Sequence, residues 1–279
     1  ASSTLKIAQA LYEKHKVLTY PRTDYRALPE DYVKTAKDVI KALTGSDFGT
    51  YASKILDAGW VKPNKRVFNN AKVSDHFAII PTTIMPKHLN QQEKLIYDMV
   101  LKRFLAVFFP AAEYLITTRI TRVEGEPFKS EGKVLVVAGW LEVYGKEDQQ
   151  DGDAPALTPV EKDERVATKE IEIKSLQTKP PARFTEATLL SAMEGAGKLI
   201  EDEELRQAIS AKGIGTPATR AAIIDGLLYE KYLERAGREL VPTPKAFSLI
   251  TLLRGLNIPE LISPEMTGNW EYQLKLMEQ

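Results

Sequence analysis

The chain contains no cysteine. That absence excludes disulfides, thiolate zinc sites, iron–sulfur clusters and a cysteine nucleophile. Only three histidines occur, His15, His76 and His88. They are too widely spaced for a histidine metal cage, and they leave few candidates for a histidine general base. No stretch approaches the ~18 consecutive apolar residues of a membrane helix. The opening ASSTLKIAQALYEK lacks the unbroken apolar run of a signal peptide and reads as a capped helix. Charge of one sign is also missing in bulk, since 38 Lys and Arg face 38 Asp and Glu. Any nucleic-acid contact must therefore come from a local patch. These absences lead to the expectation of a cytoplasmic protein without a membrane partner.

What is present is an ordinary globular composition over 279 residues, 43% hydrophobic and 27% charged. At about 150 residues per domain, that is room for roughly two domains with real cores. Ser2 or Ser3 is expected to cap a helix in which Leu5, Ala8, Leu11 and Tyr12 share a face. Pro29, Glu30 and Asp31 open a second helix, with Tyr32, Val33, Ala36, Val39, Ile40 and Leu43 on one side and Gly45 as its stop. Residues 46–75 read as irregular connection with short elements. Asn90 and Glu93 form a capping-box start for a long helix that Pro110 closes.

From Tyr114 the period changes to two. Strands are expected at 115–123, 133–143 and 170–176, with Gly125-Glu126-Pro127 as a turn. The polar stretch KEDQQDGDAPALTP reads as a mobile loop, because Asp148, Asp151 and Asp153 lack the glycine turn and final glutamate of a calcium loop. Helices resume with a Thr185-capped segment, EDEELRQAIS and TPATRAAIIDGLL, followed by a hairpin about Ala236-Gly237. Helix, turn, helix, then hairpin is the order of a winged helix. The fold class is α+β, mainly helical, in three blocks: 1–106 helical, 107–181 β-rich and 182–279 winged-helix. The last helix reaches Gln279 without a stop signal and reads as a chain that continues.

In VLTYPRTDYR, an extended backbone puts Tyr20, Arg22, Asp24 and Arg26 on one face, and Pro21 favours that backbone at Tyr20. A phenol titrates near ~10 in water and needs help to attack. A neighbouring guanidinium gives it, by holding a phosphate bidentately while the phenol oxygen attacks phosphorus. In GIGTPATR, Thr216 is placed as a helix N-cap and Pro217 at the first helical position. Free N–H groups there attract anions, and Thr219 and Arg220 stand one turn inside. His15 and His88 read as solvent-facing, and Trp60, Trp140 and Trp270 as packing residues.

Together these pieces resemble the type IA DNA topoisomerases, over essentially the whole chain and closest to the bacterial topoisomerase III branch. LYEKHKVLTYPRTDYRALPEDY is similar to the active-site tyrosine segment and HFAIIPT to the active-site histidine segment. PPARFTEATLLSAMEGAGKLIEDEEL with KGIGTPATRAAIIDGL is similar to the later DNA-binding segment. The branch is carried by the extra stretch 197–212 and by MTGNWE.

The resemblance implies an ATP-independent enzyme that cuts and religates one DNA strand through a 5′-phosphotyrosine intermediate. Tyr20 would be the nucleophile, Arg22 would position the scissile phosphate, and His76 would support the site by hydrogen bonding. Thr216, Thr219 and Arg220 would contact the single-stranded DNA. It further implies a tyrosine domain at 1–106, a β gate segment at 107–181 completed by an earlier chain segment, and a winged-helix domain at 182–279. Magnesium would be held by an N-terminal acidic Toprim domain. Nothing here resembles that domain, so no metal ligand is assigned and these residues alone are expected to be inactive. Phe77 stands where relatives often carry a polar residue or a second histidine. The implied location is the bacterial cytoplasm, at nucleoid or plasmid DNA. The alternatives are a non-enzymatic winged-helix regulator and a tyrosine recombinase. The latter needs an Arg–His–Arg set ahead of a C-terminal tyrosine, whereas YPR sits near the N-terminus.

Overall fold

Residues 1–145, 157–210 and 213–277 are described by the structure, a computed structural model. Helix α1 (Ser2–Glu13) begins directly after Ala1 and has no side-chain cap, so neither serine caps it as expected; both lie in its first turn. A 3-10 turn, Glu30–Tyr32, leads into α2 (Val33–Ala42), which buries Ala36, Val39 and Ile40 as their spacing predicts. Helix α3 (Gly49–Asp57) lies in the stretch expected to be irregular and buries Ala52 and Ile55. Helix α4 (Gln91–Ala106) opens on the predicted capping box. Asn90 Oδ1 accepts from the Glu93 N–H and Glu93 Oε2 accepts from the Asn90 N–H, each at 2.9 Å.

These helices close over one core in which Leu11, Val17, Leu18, Ile40, Leu43, Ile55, Leu101 and Leu105 are fully buried. His15 does not face solvent as expected. Its Nε2 lies 3.2 Å from Glu93 Oε1, which ties the end of α1 to the start of α4.

Beyond this block, β1 (Glu113–Val123) and β2 (Glu126–Val137) form an antiparallel hairpin. Its turn is Glu124-Gly125, both at positive φ (49° and 89°), the mirror-type turn that matches strand twist. Pro127, expected in the turn, instead sits opposite Arg122 in the ladder. A 3-10 turn, Gly139–Tyr144, takes the place of the end of the expected second strand and buries Leu141 and Val143. The strand expected at 170–176 does not form, and Ile173 and Leu176 are 92% and 87% exposed. Alternating apolar residues without a neighbour to pair with do not make a strand. Most of the KEDQQDGDAPALTP stretch, including Asp148, Asp151 and Asp153, lies outside the described residues.

The last block carries α5 (Glu186–Glu194), capped by Thr185, then α6 (Glu203–Ser210) and α7 (Arg220–Tyr229). The hairpin β3 (Leu233–Ala236) and β4 (Glu239–Pro242) follows, then α8 (Pro244–Gly255) and α9 (Glu265–Met277). A Thr185–Glu239 bridge, with the Leu240 N–H donating to Phe184 O at 2.7 Å, adds a third short edge to the hairpin. Helices and two small antiparallel sheets make the chain α+β. Trp60 packs on Phe109 and Trp140 on Tyr144, but Trp270, expected to pack, is 69% exposed. No described helix is long and apolar enough to cross a membrane.

Candidate active site

The VLTYPRTD segment is held by pairings on both sides of it, to the HFAIIPT run and, past Ala27, also to Val67. At one end the Thr19 N–H donates to Ile80 O and the Thr82 N–H to Val17 O, both at 3.0 Å, across the Leu18–Pro81 bridge. Thr19 Oγ1 strengthens the junction, accepting from the Ile80 N–H at 2.9 Å and donating to Ala78 O at 3.2 Å. At the other end the Ala78 N–H donates to Ala27 O at 2.9 Å and the Leu28 N–H to Val67 O at 2.7 Å. Pro21 is buried without any N–H to satisfy. This pairing brings HFAIIPT beside the tyrosine.

Tyr20 is half-buried, with its ring centroid 4.4 Å from that of His76 at a 31° tilt and 5.5 Å from that of Tyr12, edge to face. His76 itself is exposed, whereas the neighbouring Phe77 turns inward onto Tyr32, with centroids 4.6 Å apart. Arg22 Nη2 donates to Gln9 Oε1 at 2.9 Å, and the Gln9 amide is oriented by donating to Glu13 Oε1 at 2.8 Å. Gln9 and Tyr12 stand three residues apart on α1 and so share a face. That one helical face steadies both Tyr20 and Arg22. Arg22 Nε is buried with no partner among the described residues. A desolvated donor of that kind is costly unless an acceptor arrives, and a phosphate oxygen is a suitable one.

The second predicted motif folds as a tight loop against α5. Gly213 and Gly215 adopt φ of 67° and 68°, and a Cβ on Gly213 would lie 2.4 Å from Met193 O. Only glycine fits there. Thr216 O accepts from the N–H groups of Thr219 (2.9 Å) and Arg220 (3.0 Å), and Thr219 Oγ1 accepts from the Thr216 N–H at 2.9 Å. Thr216, expected as the helix N-cap with Pro217 first in the helix, instead opens a turn: the regular helix begins at Arg220, with Thr219 at its N-cap position and no side-chain cap, because the Thr219 hydroxyl is turned back onto the Thr216 N–H. Both threonines are exposed. Arg220 differs from the expectation of an open cation at a helix start, because it is only 5% exposed. Its guanidinium donates to Asp24 Oδ1 at 2.7 Å, to Ile214 O at 3.1 Å and to Gly215 O at 3.1 Å.

Tyr20 and His76 thus lie ring against ring, Arg22 is held two residues further on by the helix face that also carries Tyr12, and the Thr216–Thr219 turn is moored to the same segment through Arg220 and Asp24. Gln9, Tyr12 and the Asp24–Arg220 pair escaped the sequence reading. The only signal for the first two was their spacing on α1. No group of three or more His, Asp or Glu side chains placed to hold a metal forms among the described residues.

A sequence model of the DNA topoisomerase family matches residues 1–279. DNA topoisomerase 3 of Bacillus cereus is 44% identical over 99% of this chain and 38% of its own length. DNA topoisomerase 3 of Bacillus subtilis is 40% identical over 98% of this chain, again 38% of its own length. The full-length topoisomerase I of Thermotoga maritima superposes with a TM-score of 0.69 at 26% identity, over 98% of this chain and 42% of that one. The chain spans little more than a third of the length of the curated relatives it matches.

Proposed function

The chain belongs to the type IA DNA topoisomerase family, on its topoisomerase III branch, and from that premise we propose that it carries the nucleophile and part of the DNA-binding surface of an enzyme that cuts and rejoins one DNA strand. What supports this reading is the ring contact of Tyr20 with His76, two residues from an Arg22 whose buried Nε lacks a partner among the described residues. Arg22 receives the scissile phosphate. Tyr20 Oη forms a bond to phosphorus as the bond from phosphorus to the 3′ oxygen breaks; the phenol gives up its proton and the departing 3′ oxygen gains one. His76, exposed beside the phenol, hydrogen-bonds within this site. Because the phosphotyrosyl bond conserves the energy of the broken phosphodiester, the freed 3′-hydroxyl reverses the step without ATP.

Thr216 and Thr219, exposed at the turn before α7, contact the single strand that is to be cut. Magnesium belongs to this reading only as a group held by residues other than those described. The domain division at 106 and 181 is part of the same proposal. A winged-helix regulator would use the last block alone, whereas the family match runs over all 279 residues.

The test is denaturing capture of end-labelled single-stranded DNA by the whole protein. Tyr20→Phe is expected to abolish the covalent adduct while leaving non-covalent binding within about twofold, since the ring and its packing persist. Arg22→Ala is expected to slow cleavage without abolishing it, because electrostatic positioning is graded and a nucleophile is not. An adduct formed by Tyr20→Phe at the wild-type rate contradicts the reading.

A further inference from the structure

We propose that Asp24 and Arg220 are a positioning pair that fixes the strand bearing Tyr20 in register with the DNA-contacting turn, an inference that rests on the function proposed above. A buried guanidinium is stable only when its donors are met, and Arg220 meets them in a way that defines two relationships at once. Two of its acceptors, Ile214 O and Gly215 O, belong to its own loop, so the side chain stiffens the backbone between Gly213 and Thr216. Another, Asp24 Oδ1, lies 196 residues away in sequence. Asp24 lies in the same segment as Tyr20 and Arg22, four and two residues further on.

The tie is therefore direct: Thr216 and Thr219 lie within four residues of Arg220, and Tyr20 lies four residues from Asp24. A second, exposed pair, Arg26 to Glu194 at 2.6 Å, runs parallel to it. The Ala1 ammonium on Glu186 is a further tie between the first block and α5, and a cleft of about 350 Å³ opens beside the Asp24 junction, lined by Asp24, Arg26, Phe104, Phe108 and Glu194. The main hydrophobic core is built from residues between Leu11 and Val143. A strand of DNA gripped at the turn reaches Tyr20 at a set spacing only while the pair is closed. Arg220 acts here through Asp24 and does not touch the phosphate. Its loss should therefore appear in the rate and position of cleavage rather than in affinity.

The experiment uses the whole protein with a labelled single-stranded oligonucleotide, and reads dissociation constant, single-turnover cleavage at saturating protein, and the phosphodiester cut. The informative variant is Asp24→Ala with Arg220→Met, which removes both charges and leaves no unpaired ion. Asp24→Asn, which keeps volume and one acceptor, is the second variant. The double variant is expected to bind within about twofold of wild type, to cleave at least about tenfold more slowly, and to spread its cuts over neighbouring phosphodiesters. Asp24→Asn should fall between the two.

Wild-type cleavage rate and position in both variants would overturn the pairing role. So would a tenfold loss of affinity with unchanged cleavage at saturation, which would return Arg220 to direct DNA contact. If the double variant does not fold, Asp24→Asn decides alone, and wild-type behaviour in it overturns the proposal. Failure of the unsubstituted protein to form any adduct would count against the proposed function instead.

Discussion

At the scale of single residues, the site is a tyrosine held on two sides and an arginine held on one. Gln9 orients Arg22 through a 2.9 Å hydrogen bond, so Gln9→Ala should slow cleavage by roughly three- to tenfold, less than Arg22→Ala, as expected for a residue acting through another. Single-turnover rates for the two variants check the order. Tyr97 offers a test of stability: it is 4% exposed, and its hydroxyl has no hydrogen-bond partner among the described residues. Burial, with a smaller contribution from Asp98, pushes the phenol up to about 12. An unsatisfied buried hydroxyl costs about 1–3 kcal/mol in proteins. Tyr97→Phe should therefore leave stability unchanged or raise it by about 1 kcal/mol in a urea titration, and a clear loss would show that the hydroxyl has a partner. Tyr20, Arg22 and Asp24 were singled out from the sequence because they alternate through one short segment beside Pro21. The burial of Arg220 was not, because a capped helix start says nothing about where a long side chain four atoms from its backbone will turn.

At the scale of elements, the clearest local codes survived and the weakest failed. The Asn90–Glu93 box was readable because two side chains satisfy two orphan N–H groups reciprocally. Asn90→Ala should cost about 1 kcal/mol, measured by denaturant unfolding. The Asn90 N–H, with help from His15, holds the Glu93 carboxyl below the usual carboxylate range against the opposing effect of burial. A lowered folded-state value means that this stabilisation is complete above the ordinary carboxylate range and is lost as pH falls through the folded value. The stability difference between the wild type and Glu93→Gln should accordingly be flat near neutrality and shrink toward zero in acid.

Helix α3 was not resolved within a stretch read as irregular with short elements, because its three buried positions in nine residues include a glycine and an alanine and carry little periodic signal. The strand at 170–176 was overread because sequence alternation does not reveal whether a partner strand is beside it. Gly213 could be recognised as a turn residue, but the close approach of Met193 O could not. Gly213→Ala should lower the melting temperature by several degrees, since a left-handed residue and a 2.4 Å contact would both have to be relieved. An unchanged melting temperature would mean that the loop relaxes freely.

At the scale of the whole molecule, the helical first block and the last block meet through ion pairs that include Asp24–Arg220 and Arg26–Glu194. The architecture was legible as a class, α+β with helices at both ends, because periodicity changes near Tyr114 and back after Pro181. The way the blocks meet was not legible, since contacts between residues 196 apart leave no local pattern. With balanced charge overall, DNA binding must draw on local cations, and binding of single-stranded oligonucleotides should weaken steeply and log-linearly with salt. Salt-insensitive binding, or tighter binding to random duplex, would contradict the proposed interface.

The most direct measurement is the identity of the residue that becomes linked to DNA. The whole protein is trapped by denaturation on a labelled single strand, digested, and its DNA-bearing peptide sequenced by mass spectrometry. The account predicts one modified residue, Tyr20, linked to a 5′ phosphate. Tyr12 is the sharpest competitor, because its ring lies 5.5 Å away in the same site. An adduct on Tyr12, on Tyr25 or on any other residue would contradict the assignment of the nucleophile even with the fold as described.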